Sequence, residues 1–158
     1  MNVIIIVESY FGNTSRIAEA VATGLRDHGA TVTVADAAAV PPLMGADLLA
    51  IGSATQARGL PIAATRTIAE KKGGKAGTGI AEWLASSPSV RGVKVAVFDT
   101  VIAKNFMAGS AARAMEKLLA PMGAVIVDRK SFIVKGQTGP LADGALKEAE
   151  QWGASLAD

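Results

Sequence analysis

The sequence predicts an α/β domain built on a doubly wound, five-stranded parallel sheet with helices on both faces. Three observations predict it. Short apolar runs of strand length alternate with helical stretches from one end of the chain to the other. The first run, Val3-Ile4-Ile5-Ile6-Val7, is apolar at successive positions, as in a strand buried on both faces. Five such strands linked through helices join into one open sheet by right-handed crossovers.

The elements follow in order. Strand one covers 3–8. Helix one covers 13–27, with Ile17, Ala18, Val21, Ala22 and Leu25 on one face, and His28-Gly29 ends it. Strand two is 31–35. Residues 37–42 are read as a loop or a short, poor helix, because Pro41-Pro42 does not fit inside a helix. Strand three is 48–52, followed by a loop over 53–61. Helical pattern resumes over 63–72 and 80–86, interrupted by the glycine-rich run 73–79. Strand four is 93–98, then a loop over 99–109, then a helix over 110–122. Strand five is 124–127, with a second apolar piece at 132–135, and the last helix is 141–156. There is no internal repeat and no linker composition, so residues 1–158 are expected to form a single domain.

Composition narrows the function. Half the residues are hydrophobic, which suits a well-buried core. No apolar run is long enough to span a membrane. A signal-type segment is missing at the start, so the cytoplasm is the expected compartment. There are no cysteines, which excludes disulfides, a thiol nucleophile and a Cys-ligated metal. The net charge of +2, without interleaved aromatic and basic residues, gives no case for a nucleic-acid partner.

In a doubly wound sheet, ligands bind where the loops leave the carboxyl ends of the strands. The loop after strand one reads Ser9-Tyr10-Phe11-Gly12-Asn13-Thr14. It joins a strand directly to a helix. Backbone amides, the Ser9 and Thr14 hydroxyls, the Asn13 amide and the positive end of a helix dipole therefore converge on one spot, which suits a phosphate. Gly12 lets the backbone approach the ligand closely. No Lys or Arg lies in the loop, so this anion site works by dipoles. A Gly-Lys-Ser/Thr run is absent, which excludes a Walker loop. So is Gly-x-Gly-x-x-Gly after strand one, which argues against a dinucleotide fingerprint. The acidic cluster of a phospho-acceptor receiver is also lacking.

This loop, opening a helix that continues through Ile17-Ala18, resembles the FMN-phosphate loop of the flavodoxin family. Gly52-Ser53-Ala54-Thr55 resembles the opening of that family's second loop. The order of elements matches along the whole chain, in the short form without an insertion in strand five. The resemblance implies a flavodoxin-like fold with FMN as cofactor. It implies cofactor contacts from Ser9 to Thr14, from Ser53, Ala54, Thr55, Gln56, Ala57, Arg58 and Gly59, and from Asp99, Thr100 and Phe106.

Within that frame the ring-side loops depart from the family. Loop 53–61 has no aromatic residue, and loop 99–107 has only Phe106. The flavin ring is then expected against aliphatic or guanidinium surface, Met107 or Arg58. Arg58 is either a cation at the ring or a solvated loop charge. Gly59 either permits a peptide flip beside the ring's N5 edge or is an ordinary turn glycine. Asp99 either accepts from the ring's N3–H or caps the backbone. His28 is read as a helix-end residue, Trp83 and Trp152 as packing anchors, and Lys71, Lys72 and Lys75 as a solvated loop. The expected protein is an FMN-binding electron carrier rather than a stand-alone enzyme, with a redox protein as partner. An NAD(P)H/quinone oxidoreductase or a flavin-free interaction module of the same fold are the alternatives.

Overall fold

The computed structural model describes residues 1–74 and 78–158. Lys75, expected in a solvated loop, lies outside the described residues with Ala76 and Gly77. Five strands form one sheet: β1 (Asn2–Glu8), β2 (Thr31–Asp36), β3 (Leu48–Ala54), β4 (Lys94–Val101) and β5 (Val125–Ile133). Their spatial order is β2-β1-β3-β4-β5, and every neighbouring pair is parallel. The order reverses between β1 and β3, the switch point where a ligand crevice opens.

Side chains on each strand alternate between two cores. Val3, Ile5 and Val7 of β1 pack with α1 (Asn13–Asp27) and α5 (Ala145–Leu156) on one face. Ile6 of β1, with Leu49 and Ile51 of β3, packs on the other face with α3 (Ile80–Ala85) and α4 (Ala111–Leu119). Both faces are covered, which is why the central strands read as continuous apolar runs. α2 (Ala63–Lys71) follows the loop after β3. No described helix is long and apolar enough to cross a membrane.

Trp152 of α5 is a packing anchor, as expected. It meets Phe98 and Phe132 edge-on at 5.8 and 6.0 Å between ring centroids, and its indole N–H donates to Asp128 at 2.8 Å. Trp83 is partly buried against the α3–α4 core.

Most boundaries shift by a few residues, β3 running on to Ala54 and β4 to Val101, and two elements differ more. β5 is one strand, not two pieces split at residues 128–131. Asp128-Arg129-Lys130-Ser131 looks like a loop, yet these residues pair with Ala96–Asp99 through the backbone after a register shift. β5 is an edge strand, so its polar side chains stay wet or find partners such as Glu116 for Arg129. The last helix starts at Ala145 rather than 141. Leu141 bridges to Val134, and Gly144 at φ +79° turns the chain into the helix.

Candidate functional site

A cavity of about 410 Å³ opens at the carboxyl ends of β1, β3 and β4. That lies within the usual range for small-molecule sites. Of the residues expected at the site, Ser9, Tyr10, Phe11, Asn13, Thr14, Ala54, Thr55, Gln56, Ala57, Arg58 and Thr100 line it.

One end of the cavity is built around loop 9–14 and the start of α1. Gly12 sits at the N-cap with φ +88°, a conformation that penalises a side chain. Among the described residues no side chain caps this helix. The Ser9 hydroxyl is buried and has no hydrogen-bond partner among them. Thr14 and Thr100 pair their hydroxyls at 2.8 Å, tying the loop to β4. An open helix N-terminus beside an unpartnered hydroxyl fits a phosphate.

The residues expected at the site but not lining the cavity have local reasons. Gly12 contributes backbone geometry alone. Ser53 is fully buried, and its hydroxyl donates to the Ala54 carbonyl. Asp99 is fully buried and caps α4. Its Oδ2 accepts from the Ser110 hydroxyl at 2.6 Å and from the Ala112 amide at 2.9 Å. Its other oxygen, Oδ1, is without a partner among the described residues. Gly59 closes a two-residue turn in which Gln56 and Gly59 exchange both backbone hydrogen bonds at 2.9 Å. The left-handed residues of that turn are Ala57 at φ +46° and Arg58 at φ +68°; Gly59 itself is not left-handed. Phe106 lines a neighbouring groove instead. The Arg58 guanidinium lies 4.9 Å from its ring centroid and donates to its carbonyl at 3.2 Å.

Sequence reasoning missed a third wall. Thr65, Ile68, Ala69 and Lys72 line the cavity. Their spacing is a single helical face of α2 and its C-cap, a signal present in the sequence. Lys72, expected to be solvated, is bonded to the side-chain oxygen of Gln137, and both line the cavity. His28 lies away from it, bonded through Nδ1 to the Gly24 carbonyl at 3.0 Å.

A buried polar cluster beneath the loop also went unread. Glu8 ends β1, and its Oε2 is 3.1 Å from Arg66 Nε and accepts from the Tyr10 hydroxyl. The Ile80 amide donates to Glu8 Oε1 at 2.7 Å. Arg66 also holds Glu82, with Nη1 donating to Oε1 at 2.6 Å. Burial pushes the Glu8 carboxyl above its ordinary value, with the Ile80 amide and Arg66 opposing. The hydrogen bond from Arg66 holds Glu82 below its ordinary value. A Cβ at Gly79 would collide with the Glu8 carboxylate and the Arg66 guanidinium, so glycine lets α3 start there. The cluster fastens α2 and α3 to the root of loop 9–14. Tyr10 therefore belongs to this support, although it also lines the cavity.

The flavodoxin family model matches residues 5–152. Among solved structures the chain is similar to a flavodoxin from the Archaea, at 22% identity and TM-score 0.68, covering 99% of this chain and 96% of that one. It is similar to flavodoxin 1 of Bacillus cereus at 20% identity and TM-score 0.72, covering 99% and 97%. It is also similar to a WrbA-like flavodoxin of Agrobacterium tumefaciens at 21% identity and TM-score 0.62, covering 99% and 94%. No curated protein matches. The chain belongs to the flavodoxin family. It is an FMN-binding electron-transfer protein of that family.

Proposed function

We propose that the 410 Å³ cavity is the FMN site, with the phosphate on loop 9–14 and the ring between the loops after β3 and β4. One observation carries this reading: α1 begins uncapped beside the unpartnered Ser9 hydroxyl. When bound, FMN supplies one- and two-electron transfer. The chain's own residues anchor and orient it. Ser9 donates a hydrogen bond to the phosphate, and the Thr14–Thr100 pair retains one O–H to offer the cavity. The turn that carries Gln137 packs against Asn13 through Gly139, so the Lys72–Gln137 pair flanks the phosphate end. At the ring end, Ile102 and Met107 give aliphatic walls. Gln56 Oε1, buried and unpartnered among the described residues, is an acceptor suited to a ring N–H. Arg58 brings a cation, which favours the electron-rich form of the ring.

The whole of 1–158 acts as one domain in this reading, supported by the single sheet that unites all five strands. A redox protein supplies or takes the electrons. Flavin fluorescence titration tests the anchor. FMN is expected to bind far more tightly than riboflavin, which lacks the phosphate. Equal affinities would remove loop 9–14 from the site.

A further inference from the structure

Beside the cavity lies an open groove of about 880 Å³, which shares Ala57 and Arg58 with it. The loop after β4, α4 and β5 form its walls. Six cations line it: Arg58, Lys104, Arg113, Lys117, Arg129 and Lys130. Among the described residues no Asp or Glu does. The chain has sixteen Lys and Arg in all and fourteen Asp and Glu. Outside the groove the remaining ten cations are thus outnumbered by carboxylates. The formal charge of +2 is therefore unevenly placed, with six cations gathered on this groove and a net excess of carboxylates over the rest of the sequence.

Part of this charge is balanced. Glu148 Oε1 is 3.0 Å from Lys130 and 3.6 Å from Lys104, and Glu116 pairs with Arg129. Arg113 and Lys117, four apart on α4 and exposed, have no carboxylate partner among the described residues. Arg58 spends its guanidinium on the carbonyl and ring of Phe106. Phe106 is 80% exposed in the groove and Met107 is 74% exposed at the cavity. Two large apolar side chains therefore stand bare where the two depressions meet. Arg, Met and aromatic residues are the types enriched in protein interfaces.

We propose that this groove docks the acidic face of an electron-transfer partner protein, seating its redox centre against the edge of the cavity. The proposal rests on the reading of the cavity as the FMN site. Charge complementarity selects the partner: the field of the groove steers an acidic surface inward and repels a basic one. None of the six cations is buried, and they are spread over the loops after β3 and β4, α4 and β5. That breadth suits many exposed contacts with a protein surface rather than a cage around one small anion.

The test uses the FMN-loaded chain, photoreduced, with two ferric haem proteins: cytochrome b5, which is acidic, and cytochrome c, which is basic. One electron passes from the reduced flavin to the haem iron, giving the ferrous protein. The rate constant with cytochrome b5 is expected to fall about tenfold or more between roughly 20 and 200 mM salt. The double variant Arg113→Glu, Lys117→Glu, which touches the groove and not the cavity, is expected to lose about tenfold with cytochrome b5 and none with cytochrome c. Unchanged rates with cytochrome b5, or faster transfer to cytochrome c in the parent, would overturn the proposal. Binding of cytochrome b5 to the flavin-free chain is followed separately by NMR. Docking that persists without FMN binding, and vanishes in the double variant, would sink the cofactor reading alone. FMN binding with docking indifferent to these charges would sink the docking alone. Release of cytochrome b5 by pyrophosphate, beyond what chloride of equal ionic strength achieves, would make the groove a small-anion site and overturn the proposal.

Discussion

α1 and α4 begin alike and do opposite things. Each follows a strand of the parallel sheet, so both helix N-termini lie at the carboxyl edge. At α4 the chain supplies its own acceptors. Asp99 takes the Ala112 amide, Thr55 takes the Ala111 amide at 3.1 Å, and Ser110 takes the Arg113 amide at 3.1 Å. At α1 no side chain caps, among the described residues. A helix N-terminus presents several free donors and roughly half a positive charge. Closing it with a carboxylate stabilises the helix. Leaving it open keeps the donors for a ligand at some cost in stability. Equivalent positions of one fold are thus divided: one is closed by the chain's own side chains, and the other is left open, as the proposed FMN site requires.

The largest effect is expected beneath the open terminus. Arg66→Met leaves Glu8 buried without its cation, which costs about 3–5 kcal/mol at neutral pH. The pH dependence has a definite sign. Glu8 has a raised folded pKa, so its contribution is full below the unfolded value of 4.5 and is lost as pH rises through the folded one. Without Arg66 that rise is larger. Glu82 is held low by the same guanidinium, and stability present above 4.5 disappears with it. Both trends make the penalty grow with pH. Urea midpoints at pH 5 and pH 8 check it; an equal penalty at both would mean the cluster is not acting through charge.

Next comes the open end itself. Ser9→Ala is expected to weaken FMN binding by about 1.5–3 kcal/mol, the worth of a hydrogen bond to a charged group. Stability should hold, because the hydroxyl has no protein partner among the described residues. At the closed end the signs exchange. Asp99→Ala should cost about 0.5–2 kcal/mol of stability as a lost helix cap, with FMN affinity unchanged. Thermal unfolding and fluorescence titration on both variants sharpen the comparison. It breaks if Asp99→Ala costs as much affinity as Ser9→Ala.

The smallest effect is expected at Gly59→Ala. The position is not left-handed, and a Cβ there meets nothing within 4 Å. Stability and affinity for oxidised FMN should change by less than about 0.5 kcal/mol. The strain in this turn lies at Ala57 and Arg58, so a loss of about 1–2 kcal/mol would mean that Gly59 adopts a left-handed conformation when flavin binds.

Much of this was legible in the sequence. Val3–Val7, Leu48–Ile51 and Val95–Phe98 read as strands because burial on both faces makes them continuously apolar. The strand-to-helix turn at Ser9–Thr14 was legible because it is local, closed within six residues. β5 was only half legible. An edge strand owes its register to backbone pairing, which Asp128-Arg129-Lys130 does not advertise.

The sequence by itself determined the fold class and the family and marked loop 9–14 as the candidate anion site, since each depends on period or on contiguous residues. Tertiary structure decided which groups meet across long stretches of chain. Arg66 reaches Glu8 across 58 residues and Thr100 reaches Thr14 across 86. Asp99 turned from a candidate ring contact into a helix cap because Ser110 and Ala112 fold back onto it. The six cations of the groove come from four separate stretches of chain, at 58, 104, 113–117 and 129–130, and share one face only after β5 pairs with β4 and α4 packs beside them. Net charge is a sum over the chain, and a sum carries no position. Only folding turned a slight excess of lysine and arginine into a field with a direction.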